Sequence, residues 1–121
     1  MIVDSSVWIE IFTEGPLAGK CEQEIKTNES VWIPTLVFYE VYKKIKKKAS
    51  EELALQAIGF LSQYSQCELT REIALLAGDL SLSLNLGMAD SLILAHAKHL
   101  KKSFLTLDND FAGLPDVKVM R

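Results

Sequence analysis

Very short apolar segments alternate with longer amphipathic ones along this chain, and this alternation constrains its fold more than any other feature. The apolar segments have the length of short strands and cover residues 1–3, 30–34, 67–69, 103–107 and 117–120. Helical periodicity lies between them, over residues 5–12, 17–26, 35–49, 50–64, 70–85 and 87–102. No Asn-Gly hairpin signal joins adjacent strands. The pattern predicts an α/β fold with a mainly parallel central sheet of four to five short strands flanked by helices.

Length and composition favour one domain over residues 1–121. The chain has 121 residues, of which 49% are hydrophobic, and this is enough to bury a core. Its formal net charge is −3, so the chain as a whole offers no strongly cationic surface. A phosphate-bearing partner would therefore have to bind at a local site.

The cysteines and the apolar runs indicate the compartment. Cys21 and Cys67 lie far apart without a CxxC partner, so we expect free thiols and neither a disulfide framework nor a thiolate metal site. The sequence lacks a signal-peptide pattern, and no apolar run approaches the roughly 20 residues that span a bilayer. We therefore expect a cytoplasmic protein with no membrane association.

Two of the apolar segments end at an acid. Asp4 follows residues 1–3, and Asp108 follows the segment FLTL. The carboxyl ends of parallel strands meet at one edge of a sheet, so neighbouring strands would bring these two side chains together. Each acid alone also has a local reading of equal weight: Asp4 would cap the helix that begins at Ser5, and Asp108 would open a turn.

Two further acids lie on the apolar faces of predicted helices. Glu40 shares its face with Leu36, Val37 and Val41, away from the lysine side. Asp90 aligns in the same way with a run of aliphatic residues, although it could instead cap the segment SLILAHA. A carboxylate on a core-facing stripe is usually neutralised, hydrogen-bonded or bound to a cation.

Taken together, the four acids predict a metal site. Two carboxylates about 4 Å apart repel by roughly 4 kcal/mol at an effective dielectric near 20. The lysines cluster at residues 43–48 and Arg71 begins another helix, so the chain offers few cations to offset this repulsion. Oxygen ligands select a hard ion such as Mg²⁺ or Mn²⁺, which suits phosphodiester cleavage. Without metal, neutralising one of these acids is expected to leave stability unchanged or raise it.

Four segments resemble those of the PIN-domain ribonucleases, and among them the small VapC-type toxins. The segments are MIVDSSVWIE, PTLVFYEVYK, GMADSLILAHAK and FLTLDNDF, and the similarity covers essentially the whole chain. The resemblance implies a single PIN-like domain with Mg²⁺- or Mn²⁺-dependent endoribonuclease activity on RNA. It also implies a homodimer and a cognate small antitoxin, as in a type II toxin–antitoxin pair.

The resemblance further implies roles for individual residues. The catalytic and metal-binding acids would be Asp4, Glu40, Asp90 and Asp108. Asp110 is a rival to Asp108 as the fourth acid, because TLDNDF offers two acids two positions apart. Small hydroxyl residues often border such sites and would contact substrate or a bound water, although cap or strand roles have equal weight; here they are Ser5, Ser6 and Thr106.

Other side chains have competing interpretations. Within KKIKKK, Lys43 and Lys44 would bind RNA phosphates, or the run would be solvated lysines favoured by the helix dipole. His96 and His99 lack the acid motif of zinc enzymes, which favours structural roles. Six aromatic residues would either stack on bases or pack in the core and at a subunit contact: Trp8, Trp32, Phe38, Tyr39, Tyr42 and Tyr64.

Three other functions were weighed against the nuclease. A Mg²⁺-dependent phosphatase needs an aspartyl DxD pattern after the first strand, where this chain has Ser6. A receiver-like signalling domain needs paired acids there and a lysine after a late strand, and neither is present. A catalytically inactive PIN-like interaction domain is disfavoured because all four acids are retained.

Overall fold

A five-stranded parallel sheet with helices packed around it forms the architecture. The computed structural model describes residues 1–28 and 30–121. The strands are β1 (Ile2–Val3), β2 (Trp32–Pro34), β3 (Ser65–Cys67), β4 (Phe104–Thr106) and β5 (Val117–Val119). The helices are α1 (Ser5–Phe12), α2 (Ala18–Lys26), α3 (Thr35–Lys48), α4 (Glu51–Leu61), α5 (Arg71–Leu84) and α6 (Met88–His99), with a 3₁₀ turn at Asn109–Phe111.

The order of the strands places the two acid-terminated strands side by side. The order is β3-β2-β1-β4-β5, and all pairings are parallel. In the register, Ile2 pairs with Phe104 and Val3 with Leu105. These four side chains are almost completely buried, so β1 and β4 form the middle of the core. The predicted α/β class is confirmed, and β1 and β4 end at the same edge of the sheet.

The third strand differs from its prediction. It covers Ser65–Cys67 rather than residues 67–69, because its register is set by pairing of Ser65 with Trp32 and of Cys67 with Pro34. It is an edge strand with polar, largely exposed side chains, so it carries no apolar signal of its own. In helix α3, which follows β2, Pro34 occupies the N-cap. The predicted cap Thr35 is the first helical residue and donates its hydroxyl to the Cys67 carbonyl at 3.3 Å.

Helix α6 is the most deeply packed helix of the described chain. All seven of its residues from Ser91 to Ala97 are buried, and α6 packs mainly against α5. This burial fixes its first turn, which carries Asp90. Cys21 is buried and Cys67 half-buried, and both are free thiols. Among the described helices, none alone is long and apolar enough to cross a membrane. Helices α5 and α6 together have the length and composition of a membrane span, but the pair is bent by 117°.

Candidate metal centre

Asp4 is held in one orientation by the residues around it. It follows β1 directly, caps α1 and is only 4% exposed. Its Oδ1 accepts from the backbone N–H of Ser5 at 2.8 Å, and its Oδ2 accepts from the hydroxyls of Ser6 at 2.9 Å and Thr106 at 2.7 Å. Asp4 therefore caps α1, as its local interpretation predicted, and it also lies at the edge of the sheet where β1 ends.

Two hydroxyl groups extend this network to the neighbouring acids. The Ser5 hydroxyl donates to Glu40 Oε1 at 3.0 Å, which links α1 to α3. The Thr106 hydroxyl accepts from the backbone N–H of Asp108 at 3.0 Å, so it connects the ends of β1 and β4. All three hydroxyl residues predicted to border the site are hydrogen-bonded within it: Ser5, Ser6 and Thr106.

A second group of acids faces Asp4 from α6 and the 3₁₀ turn. Carboxylate oxygens of Asp90, Asp108 and Asp110 all lie within 4.8 Å of one another. Asp108 caps the turn, with its Oδ1 accepting from the Asp110 backbone N–H at 2.9 Å. Asp90 lies in the first turn of α6, whose N-cap is Gly87, so the alternative that Asp90 caps this helix is wrong. Both Asp108 and Asp110 lie beside Asp90.

The four predicted acids line a single open cleft of about 500 Å³. The residues that share this lining with them come from α1 and α3: Ser5, Ser6, Ile9, Tyr39, Lys43, Lys44, Lys47 and Lys48. The expectation that Glu40 lies away from the lysine side is wrong, because four lysines of α3 line the same cleft. Sequence reasoning singled out Lys43 and Lys44 but not Lys47 and Lys48 as part of this wall. Helical spacing from Glu40 would have found them, since positions three, four, seven and eight residues further along a helix share a face.

Burial of the acids disfavours their charged forms. For Asp4, burial raises the pKa against the hydrogen bonds that it accepts, and the charge of Asp108 raises it further. For Glu40, burial again raises the pKa most, the Ser5 hydrogen bond opposes it, and Asp4 and Asp90 add repulsion. The neighbouring carboxylates therefore make Asp4 and Glu40 harder to ionise, while the charge of Lys44 partly opposes this at Glu40.

Asp90 shows the effect most clearly. Burial, followed by the charges of Asp4, Asp108 and Asp110, raises its pKa to about 6. Among residues 1–28 and 30–121, the ion pairs are Lys46–Glu51 and Lys118–Glu24, and neither includes an acid of the cleft. No lysine or arginine of the described chain thus offsets this negative charge by direct pairing.

The donor set fits a hard divalent cation. Every candidate ligand is a carboxylate oxygen, with hydroxyl groups behind them, and such sites select Mg²⁺-like ions over zinc or copper. The cleft is open, which leaves room for the water and phosphate oxygens that complete the shell of such an ion. A bound cation would also remove the mutual repulsion of the acids.

We expect the variant Asp90→Asn to stabilise the metal-free protein more at pH 7 than at pH 4.5. The folded pKa of Asp90, about 6, lies above its unfolded value of 3.8. Protonated Asp90 stabilises the folded parent relative to ionised Asp90. This stabilisation is complete below pH 3.8 and is lost as pH rises through 6, whereas an Asn side chain does not ionise. After allowance for its half-exposed position, the change is on the order of 1 kcal/mol.

Urea unfolding in EDTA of the parent and the variant, compared across this pH range, measures the difference. The comparison cancels the titration of shared groups that do not interact with Asp90, such as the buried His96, whose pKa is lowered by burial. A difference that stays constant or shrinks with rising pH would contradict the predicted repulsion at Asp90.

Two residues with competing interpretations from the sequence, His96 and Trp8, are buried in the structure. His96 is buried, with its Nδ1 2.8 Å from the Leu92 carbonyl oxygen, as expected of a structural histidine. Trp8 is buried and packs against Phe12, Phe60 and Tyr64 in an aromatic cluster, so it belongs to the core.

Comparison with known proteins defines the class of this protein. The sequence model of the PIN domain matches residues 1–117, and the chain belongs to the PIN-domain family. No curated protein matches the chain in sequence.

Solved structures similar to this chain include those of toxin–antitoxin proteins. A toxin–antitoxin complex from Klebsiella pneumoniae has a TM-score of 0.81 at 25% identity, covering 98% of this chain and 95% of that one. VapC20 from Mycobacterium tuberculosis, described as a sarcin-ricin loop cleaving toxin, has a TM-score of 0.80 at 15% identity, covering 96% and 97%. VapBC2 from Rickettsia felis, bound to a promoter DNA fragment, has a TM-score of 0.79 at 16% identity, covering 99% and 98%.

Proposed function

We propose that this protein is an endoribonuclease that depends on Mg²⁺ or Mn²⁺ and acts in the cytoplasm as the toxin of a type II toxin–antitoxin pair. The observation that carries the proposal is the convergence of Asp4, Glu40, Asp90 and Asp108 on one open cleft without a pairing cation among the described residues. Membership of the PIN-domain family supports it, as does the similarity to toxin–antitoxin structures.

The acids would have different roles that depend on their positions. Asp4, Asp90 and Asp108, with Asp110 beside them, would hold the ion. When bound, a divalent ion polarises a scissile phosphate, lowers the pKa of a water and stabilises the leaving oxygen. Glu40 Oε1 already accepts the Ser5 hydroxyl, and no donor of the described chain contacts its Oε2. We assign Glu40 Oε2 as the atom that orients the attacking water and takes its proton.

The hydroxyl network supports the acids indirectly. Ser6 and Thr106 donate to the same oxygen of Asp4, which fixes the direction of that carboxylate. Such outer contacts orient metal ligands and contribute to their affinity.

A cognate small antitoxin would block the cleft, and a homodimer would be the active assembly. The similar Klebsiella pneumoniae structure is a toxin–antitoxin complex. For the dimer, Leu75 and Leu82 lie seven positions apart on one side of α5 and are 66% and 88% exposed. Light scattering of the purified protein measures whether it is a dimer.

Cleavage of a labelled single-stranded RNA by the purified protein tests the proposed activity. With Mg²⁺ or Mn²⁺ we expect cleavage, and EDTA should reduce the rate by at least about 100-fold, with recovery when the ion is restored in excess. Asp4→Asn should lose activity in the same way. Asp116→Asn, at an exposed acid just before β5 and at the opposite edge of the sheet, is the matched control and should cut as fast as the parent. Cleavage that persists in EDTA, or no cleavage with either ion, would contradict the proposal and favour an inactive interaction domain.

A further inference from the structure

One face of α3 continues the cleft beyond the acids as a row of lysines. Lys43, Lys44, Lys47 and Lys48 all line the cleft together with Glu40. An α-helix rises about 1.5 Å per residue, so Lys44 lies about 6 Å beyond Glu40 along the axis, and Lys47 and Lys48 lie about 10 to 12 Å beyond it. Positive charge therefore extends along the helix from one side of the acidic centre.

The fifth lysine of this run faces elsewhere. Lys46 pairs with Glu51 at 3.3 Å, and its ammonium lies 5.4 Å from the centre of the Tyr42 ring. The four cleft lysines form no ion pair within residues 1–28 and 30–121. Lys44 lies near enough to Glu40 for its charge to lower the pKa of that acid. The cleft lysines are otherwise available to bind an anionic partner.

An exposed aromatic ring stands in the same wall. Tyr39 is 59% exposed and lines the cleft one residue before Glu40. The Lys43 ammonium lies 5.5 Å from the centre of the Tyr39 ring and donates to its hydroxyl at 3.2 Å. A basic groove with an aromatic side chain is the usual arrangement for binding the phosphates and bases of a single nucleic-acid strand.

We propose that the RNA strand leaves the acidic centre along this face of α3, with successive phosphates bound by Lys44, Lys47 and Lys48 and one base stacked on Tyr39. The inference rests on the proposed function for the place of cleavage. It adds the surface that holds the nucleotides flanking the cut. Duplex RNA keeps its bases stacked inside, so it cannot place one on Tyr39.

Binding measured apart from cleavage tests the proposal. Fluorescence anisotropy of a labelled single-stranded RNA, with protein carrying Asp90→Asn and Mg²⁺ present, gives the affinity between about 50 and 200 mM salt. Each phosphate contact on a single strand contributes about 0.7 to the slope of log K against log salt. Replacing Lys44, Lys47 and Lys48 together by Gln should reduce the slope by about 2. Lys46→Gln, on the other face of the same helix, should leave it unchanged.

Three further variants separate charge and stacking from structure. Replacing Lys44, Lys47 and Lys48 by Arg should keep the slope of the parent, because the charge remains. Tyr39→Ala should weaken binding by about five-fold or more, whereas Tyr39→Phe keeps the ring and should bind like the parent. An RNA duplex of the same sequence should bind more weakly than the single strand.

The other outcomes either overturn this inference or separate it from the proposed nuclease function. Equal slopes for the triple Gln variant and Lys46→Gln, or equal affinity for duplex and single strand, would overturn the inference. If the parent protein cuts RNA but the triple variant binds like Lys46→Gln, only this inference fails. If the parent protein does not cut RNA but the slope falls as expected, the RNA surface stands and the proposed nuclease function fails.

Discussion

Replacing Asp90 by Asn should lower the rate of RNA cleavage by at least about 100-fold without unfolding the protein. Asp90 lies among the carboxylates of Asp4, Asp108 and Asp110 and accepts no hydrogen bond from the described residues. The variant loses one charged ligand, and even outer contacts of metal sites contribute about 10- to 100-fold. Because the lost charge was repelled by its neighbours, the metal-free variant should be at least as stable as the parent.

Bound metal should stabilise the Asp90→Asn variant less than it stabilises the parent. A ligand that binds only the folded state raises its stability by mass action, so Mn²⁺ should raise the melting temperature of the parent and have a smaller effect on Asp90→Asn. Cleavage rates and melting temperatures with and without Mn²⁺ measure both effects, with Asp116→Asn as the control. A variant that cuts like the parent would show that cleavage does not need the Asp90 carboxylate, and one that loses stability in EDTA would show that Asp90 has a structural role.

Replacing Thr106 by Val should damage both stability and cleavage. The Thr106 side chain is completely buried, donates to Asp4 and accepts from the backbone N–H of Asp108. Valine has nearly the same shape but can neither donate nor accept a hydrogen bond, so the partly buried Asp108 amide and the buried Asp4 carboxylate each lose a partner. We expect a loss of about 1 to 3 kcal/mol in the free energy of unfolding and a loss of about 10- to 100-fold in cleavage.

Thr106→Ser is the matched control for this prediction. It keeps the hydroxyl, so cleavage should stay close to that of the parent, while the lost methyl lowers stability by about 1 kcal/mol. Chemical denaturation and RNA cleavage of the two variants measure the difference. Equal activity of the Val and Ser variants would mean that the hydroxyl does not position the two acids.

The fold and the convergence of the acids could be predicted because each follows from local pattern and a general rule. Apolar segments that stop at Asp4 and Asp108 predicted strand ends at one edge, and the pairing of β1 with β4 brings these ends together. Helical periodicity placed Glu40 and Asp90 toward the core, where both are half-buried in the cleft.

The finer contacts could not be predicted because they depend on tertiary register. Thr106 reaches Asp4 because Val3 pairs with Leu105, and no sequence pattern specifies that register. Asp110 comes close to Asp90 because the chain turns into a 3₁₀ helix after Asp108.

These tertiary contacts also change one expectation from the sequence. Neutralising an acid was expected to leave stability unchanged or raise it at any of the four positions. That expectation suits Asp90, which accepts no hydrogen bond from the described residues. Asp4 is different because it accepts three close hydrogen bonds that position it, and part of their stabilisation would be lost with its charge.

A crystal of the protein soaked in Mn²⁺, with diffraction measured at a wavelength where manganese scatters anomalously, tests the central claim most directly. The acids should then share one ion, with an anomalous peak inside the cleft in contact with oxygens of Asp90 and Asp108 and beside Asp4. A cleft without such a peak at saturating Mn²⁺, or a peak held by other residues, would contradict the account.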